Sequence, residues 1–251
     1  MKNKIIGLVA VRLDSKRLKK KAFLNLHYKK IIIRLFERIS LSHYMNDIAI
    51  CTSDHYSDNE IENIAKAHKI KVFRGSKKDV MSRFIDAGKN LSANHIVRIT
   101  GDNPLTDPKI IDYLIKKHLT NKNEYTFSSS APIGTKAEII NFKTLKRCYT
   151  YLVDPNSSEY MTWMLNRPDV FKIEDVKCPK NLVKSNHISF TVDKKIEYEN
   201  IKKIYAHFKG FPPKLNEIIK WIERHPNLLR KMKKKNIDTK IKNINCSFKF
   251  D

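Results

Sequence analysis

The run Ile-Ile-Gly-Leu-Val-Ala-Val at residues 5–11, followed by Arg-Leu-Asp-Ser-Lys-Arg-Leu-Lys-Lys-Lys at residues 12–21, decides the fold. Seven uncharged residues bounded by charge suit a strand buried on both faces, as in a parallel sheet. Past the basic loop, Ile31, Ile32, Leu35, Phe36 and Ile39 recur at helical spacing. Strand, polar loop and helix in that order open a βαβ unit.

The rhythm then repeats. Residues 47–52 (DIAICT) read as a strand, and residues 57–68 as a helix begun by Ser57 with Glu60 three positions on, a capping box. Residues 70–73 predict a short strand, 79–91 a helix with Val80, Phe84, Ala87 and Leu91 on one side, and 95–100 (HIVRIT) a further strand. Asp107 at a cap position and Pro108 at the first helical position open a helix running to residue 119. Strands alternating with helices predict an α/β fold with a mainly parallel central sheet, right-handed connections and ligand binding at the carboxyl ends of the strands. The loops after Val11, Thr52, Phe73 and Thr100 then open on one edge. Gly75, Gly101 and Gly134 fall in or near such loops, where close backbone approach to a ligand is expected. From about residue 124 the rhythm weakens. Strands are expected over 125–128, 170–176 and 187–192, and helices over 142–151, 157–165 and 194–208, the last stopped by Gly210 with Pro212 and Pro213 beyond.

Charge divides the chain differently. The 251 residues carry a net charge of +24, with 41% hydrophobic residues, a globular composition with a basic surface. Residues 1–40 hold twelve basic and two acidic side chains and residues 201–251 fourteen and four, so the stretch between is nearly balanced. Such a balance points to anionic partners: nucleic acid, phosphorylated metabolites or acidic membrane surfaces. Cys51, Cys148, Cys178 and Cys246 lie far apart with no C-x-x-C pair, which argues against a zinc site or a disulfide framework. The opening apolar run is interrupted by Arg12 too soon for a secretory signal, and no stretch approaches the ~20 apolar residues of a membrane span. A soluble cytoplasmic protein is the expectation.

Three local signals carry chemistry. Arg12, Ser15, Lys16, Arg17, Lys19, Lys20 and Lys21 follow a buried strand directly, where a polyphosphate could meet backbone N–H groups and cations together. The segment is not a Walker loop, because G-x-x-x-x-G-K-[ST] is absent; a solvated basic loop is the bland alternative. Thr100-Gly101-Asp102-Asn103-Pro104 sets a carboxylate at a strand end, suited to Mg²⁺ shared with phosphate oxygens, although Gly-Asp is also a common turn. Asp193, after Phe190-Thr191-Val192, is a helix N-cap, a metal ligand or both.

Taken in order, Ala10-Val11-Arg12, Ser15-Lys16-Arg17-Leu18 with Lys21, Thr52-Ser53-Asp54, Val72-Phe73-Arg74-Gly75-Ser76 with Asp79-Val80 and Arg83, Val97 through Leu105, and Thr191-Val192-Asp193 resemble the cytidylyltransferases. That family includes the CMP-Kdo and CMP-acylneuraminate synthetases, and the likeness is greatest to the spore-coat polysaccharide branch. It covers roughly residues 4–208. The resemblance implies a Rossmann-like nucleotidyltransferase fold and Mg²⁺-dependent transfer of CMP from CTP to an acceptor, with release of pyrophosphate. Arg12, Ser15, Lys16, Arg17 and Lys21 would then embrace the triphosphate, with Ala10, Val11, Thr52 and Ser53 also binding the nucleotide. Gly75, Ser76, Asp79, Val80 and Arg83 would line the cytosine pocket, and Asp102 and Asp193 would hold Mg²⁺. Arg12, Lys16, Lys21, Asp102 and Asp193 are the expected catalytic set. Residues 1–210 would form the catalytic domain and 211–251 a basic helical extension. A homodimer is implied, with residues 152–165 as a candidate surface.

Some positions depart from the family pattern. Asp14 stands where the loop usually has Gly, and is unfavourable beside a triphosphate unless paired with Lys16 or Arg17. Gly134-Thr135-Lys136-Ala137-Glu138 replaces an acid by Lys136, and Glu159-Tyr160-Met161-Thr162 lacks a usual His. An anionic acceptor is therefore expected, contacted by Lys136 with Glu138, Glu159, Thr100 and Arg98, and with Arg167 as a helper; a structural ion pair is the alternative for Arg98. Rival readings are a nucleotidyltransferase of other base or sugar-1-phosphate specificity, and a basic nucleic-acid or membrane-surface binder. The first loop lacks the Gly-rich pattern of the former, and residues 230–235 (RKMKKK) lack the interleaved aromatics of the latter.

Overall fold

The computed structural model describes residues 3–15, 17–184, 186–233 and 248–250. Strand β1 (Ile5–Ala10) is central, and the hairpin β2 (Asn25–Leu26) and β3 (Lys29–Lys30) leads into α1 (Ile31–Ile39). There follow β4 (Asp47–Ser53), α2 (Asn59–Ala67), β5 (Lys71–Gly75), α3 (Val80–Asn90), β6 (His95–Thr100), α4 (Pro108–Thr120) and β7 (Tyr125–Phe127). Then come β8 (Glu138–Asn141), α5 (Phe142–Tyr151), α6 (Met161–Leu165), β9 (Ile173–Asp175), α7 (Lys195–His207), α8 (Leu215–Glu223) and α9 (Pro226–Met232). Seven strands form one sheet in the order β5-β4-β1-β6-β8-β7-β9. Only β8 runs against the rest, pairing antiparallel with both β6 and β7.

The apolar run at 5–11 is buried as expected: Ile6, Leu8 and Val9 are fully inaccessible. Leu8 and Val9 point to opposite sides of the pleat and enter different cores. One core packs α1, α2, α4, α7, α8 and α9 on the sheet; the other packs α3, α5 and α6 on its second face. Leu215, Ile218, Ile219 and Ile222 of α8 lie in the first core beside Ile31, Ile32 and Leu35 of α1. The change in charge beyond Gly210 thus coincides with no gap in the packing. At that point the chain turns with Gly210 at φ 92°, a conformation strained for residues with a Cβ. Arg38, only 4% exposed, binds the Pro212 and Pro213 carbonyls and the Asp107 carboxylate, tying α1 to the cap of α4 and to this turn. No helix among the described residues is long and apolar enough to cross a membrane.

Two local expectations need revision, and one strand was not anticipated. A short 3-10 turn (Tyr56–Asp58) precedes α2, and the His55 ring rather than Ser57 receives the first N–H, so the Ser57–Glu60 capping box does not form. The alternation over 187–192 reflects burial of Ile188, Phe190 and Val192, not a ladder: Ser189 bridges to Ile133 while Ile188 bridges to Lys233, and the backbone divides between two neighbours. Strand β8 carried no sequence signal, because Lys136 and Glu138 interrupt the apolar pattern around Ile139 and Ile140.

Candidate active site

The strand order reverses at β1, with β4 on one side and β6 on the other, and this switch point opens a crevice beyond their carboxyl ends. The ends are stitched together: Val11 N–H donates to the Cys51 carbonyl at 3.2 Å and Gly101 N–H to the Ala10 carbonyl at 2.8 Å. A Cβ on residue 101 would lie 2.6 Å from Val11 Cβ, so glycine is what lets the Asp102 turn approach β1. The resulting cleft measures about 750 Å³ and is lined by Ala10, Val11, Ser15, Ala22 and Thr100, by the cations Arg12, Arg17, Lys21, Lys77 and Lys78, and by Asp14 and Asp102. Lys16 lies outside the described residues.

The basic loop is held from beneath. Asp58, 1% exposed, accepts Leu13 N–H at 2.8 Å through one oxygen and the Ser53 N–H and hydroxyl through the other. Lys20 adopts φ 48°, its N–H closing on the Leu13 carbonyl at 3.3 Å, and the turn delivers Lys21 into the cleft. Asp14 is neutralised by Lys77 Nζ at 2.7 Å and Arg12 Nε at 3.6 Å, because the loop after β5 folds over against it, while Arg17 turns to Asp193. Burial raises the Asp14 carboxyl, but the Lys77 hydrogen bond and the two positive charges outweigh burial and hold it below its usual range. Thr52 and Ser53 are fully buried behind the cleft, where the Ser53 hydroxyl serves Asp58.

Lys21 joins the two candidate metal ligands. Its ammonium contacts Asp102 and lies 2.5 Å from Asp193 Oδ1, and Arg17 Nη2 is 3.0 Å from the same Asp193 oxygen. Burial disfavours the ammonium, but the carboxylates more than compensate, so Lys21 is charged over a wider range than an ordinary lysine. Asp193 is free for this because Glu197 caps α7, accepting the N–H groups of Asp193 at 2.7 Å and Lys194 at 3.1 Å. The cap reading of Asp193 is thereby replaced. Two hard carboxylates already gathered around one positive charge fit Mg²⁺, which takes one or two protein carboxylates and completes its shell with phosphate or water oxygens. Among the described residues no cluster of three or more Asp, Glu, His or Cys side chains suited to a metal occurs.

A side chamber of about 360 Å³ shares Ala10, Val11, Arg12, Arg17 and Thr100 with the main cleft and adds Val80, Arg83 and Arg98. Arg83 is 3% exposed, packed over Gly75, and its Nε and Nη1 have no hydrogen-bond partner. Ser76 Oγ accepts Asp79 N–H at 3.1 Å, and Asp79 caps α3 through Ser82 N–H while accepting the Ser158 and Tyr149 hydroxyls. Of the residues expected around the base, Val80 and Arg83 line the chamber, while Ser76 and Asp79 do not: their side chains are engaged in capping α3 and holding the segment before it. Arg98 pairs with Glu138 at 3.1 Å, as in its structural alternative, yet its Nε is buried without a partner. Glu138 also receives the Thr162 hydroxyl. Lys136 donates to the Ser128 carbonyl, and Arg167 pairs with Asp169 over the Phe248 ring, away from the cleft linings. The Glu159 side chain lies outside the described residues.

Lys77, Lys78 and Asp58 escaped the sequence reading. The two lysines follow a strand end, a signal that was available but blended into a lysine-rich chain. Asp58 gave no signal, because its partners Leu13 and Ser53 are distant in sequence or unpatterned.

Residues 6–221 match the family model of the cytidylyltransferases. An uncharacterised protein of Methanocaldococcus jannaschii is 32% identical over 240 residues, covering 95% of this chain and 96% of that protein. Spore coat polysaccharide biosynthesis protein SpsF of Bacillus subtilis is 27% identical over 232 residues, covering 90% and 96%. Among solved structures, a cytidylyltransferase from Leptospira borgpetersenii superposes with a TM-score of 0.79 at 26% identity, covering 94% of this chain and 99% of that one.

Proposed function

The chain belongs to the cytidylyltransferase family, and we propose that it transfers CMP from CTP to an anionic acceptor, an acidic sugar or a phosphorylated small molecule, with release of pyrophosphate. The observation that carries this reading is the cation-lined cleft at the switch point of the sheet, with Lys21, Asp102 and Asp193 meeting at its floor. Five lining cations against Asp14, Asp102 and the adjoining Asp193 suit a triphosphate. Attack of an acceptor oxygen on the α-phosphorus forms one P–O bond and breaks that to pyrophosphate, so the site must hold the two oxygens in line and neutralise the departing charge. Arg12, Arg17, Lys77 and Lys78 neutralise the phosphates, and Lys16 is assigned with them. Asp102 and Asp193 would hold Mg²⁺, which supplies further neutralisation of the leaving group.

The side chamber suits the base. Arg83 carries unpartnered buried N–H groups, and cytosine offers two adjacent acceptors, O2 and N3, where uracil offers a donor at N3. Arg98 and Thr100, with Glu138 and Glu159, are assigned to the acceptor side; Lys136, held on the Ser128 carbonyl away from both linings, is not. By analogy with the spore coat polysaccharide biosynthesis relative, the product would enter cell-surface polysaccharide or glycoconjugate synthesis; the enzyme itself is proposed to act as a cytoplasmic homodimer. The test is pyrophosphate release with each nucleoside triphosphate, Mg²⁺ and a panel of acidic sugars and phosphorylated small molecules. CTP should exceed every other nucleotide by at least about a hundredfold, a difference that unpaired buried polar groups readily supply. Equal release from another nucleotide would remove the cytidylyl assignment.

A further inference from the structure

Lys21 stands where a divalent cation would be held. Its ammonium touches both Asp102 and Asp193, and Arg17 touches Asp193 as well. At this locus two carboxylates and the two cations that touch them balance in charge. A free dication approaching it meets an ammonium already seated between the ligands, with the Lys21 side chain only 12% exposed. A triphosphate reverses the balance by bringing several negative charges within reach of the flexible lysine stem, and the carboxylates then lose their counter-ion.

We propose that Lys21 is a counter-ion switch: it closes the Asp102–Asp193 pair to free divalent metal and moves to phosphate oxygens when the nucleotide arrives, so metal and nucleotide enter as a coupled pair. This rests on the assignment of Asp102 and Asp193 as metal ligands. Lys21 acts as a positioning residue toward the metal, and linkage requires that metal strengthen nucleotide binding by the same factor as nucleotide strengthens metal binding.

The experiment is Mn²⁺ binding without nucleotide, followed by the electron paramagnetic resonance signal of free Mn²⁺, for the wild type, Lys21→Met, Lys21→Arg and the double variant Lys21→Met/Asp102→Asn. Lys21→Met should bind Mn²⁺ at least tenfold more tightly than the wild type. Lys21→Arg, which keeps the charge, should stay weak, and the double variant should return to weak binding. Melting curves give a second readout that also reports folding: Mn²⁺ alone should raise the midpoint of Lys21→Met and leave the wild type unmoved. In calorimetry with α,β-methylene-CTP, Mn²⁺ should tighten wild-type binding at least tenfold, and Lys21→Met should show a smaller gain. Wild type binding Mn²⁺ alone as tightly as Lys21→Met would overturn the switch. If Asp102→Asn in the wild-type background then left metal-dependent nucleotide binding intact, the ligand assignment would fall too; if it abolished that dependence, only the role of Lys21 would be lost.

Discussion

Asp102 and Asp193 are 91 positions apart and meet on one ammonium, which makes each a separate test of the site. Asp102→Asn and Asp193→Asn should each lower kcat roughly 10²–10³-fold, the range for losing one preorganised electrostatic group, with the melting temperature little changed. Retained turnover in either would remove that residue from the metal site. Arg83 permits a sharper contrast. Two of its guanidinium nitrogens are buried without a partner, a cost to the fold, so Arg83→Met should leave stability equal or higher while weakening CTP binding at least tenfold in calorimetry. A large fall in stability would mark Arg83 as structural. The motifs around these residues were legible in the sequence. The partners were not, as Asp14 shows: it binds Lys77, 63 positions away, across two loops that only the sheet brings together.

At the scale of elements, the helices with apolar stripes and side-chain caps were read closely: α3 starts after Asp79, α4 after Asp107 and α5 after Asn141, each with its cap bond formed. Capping is local chemistry, so sequence can report it. The 12–21 loop depends on a non-local cap. Asp58→Ala should leave Leu13 N–H, Ser53 N–H and the Ser53 hydroxyl short of a buried acceptor, costing roughly 2–4 kcal/mol in urea denaturation. Because the loop it anchors carries the cations that line the cleft, the KM for CTP should rise more than kcat falls. A loss of stability with the KM unchanged would separate Asp58 from the site.

At the scale of the whole molecule, a buried pair couples the sheet to α4: His95 Nδ1 lies 3.1 Å from His118 Nε2, and His118 Nδ1 2.9 Å from the Thr126 hydroxyl. Burial, and then the neighbouring His95, depress His118 to about 3, and burial lowers His95. An unfolded histidine takes its proton near 6.5. Between about 6.5 and about 3 the unfolded chain therefore binds more protons, so this contribution is complete above 6.5 and is lost as pH falls, by up to about 1.4 kcal/mol per pH unit for each proton. Urea midpoints should drop between pH 6.5 and pH 5, and His118→Gln should flatten that drop. A truncation after residue 210 should fail to give a cooperative unfolding transition, because α8 contributes Leu215, Ile218, Ile219 and Ile222 to the core shared with α1 and α4. Circular dichroism during a thermal scan checks this.

By itself the sequence determined the alternating strands and helices, the buried apolar run at 5–10, the Asp107 cap of α4 and the order of the motifs, since each depends on neighbours a few residues apart. It also placed one block of positive charge on the first loop. Only the tertiary structure decided that β8 reverses direction between β6 and β7, that α8 belongs to the main core, that Glu197 releases Asp193 from capping, and that Lys21 lies between Asp102 and Asp193. Those outcomes turn on which charges and apolar faces become neighbours once the chain has crossed the sheet, and sequence separation carries no measure of that distance.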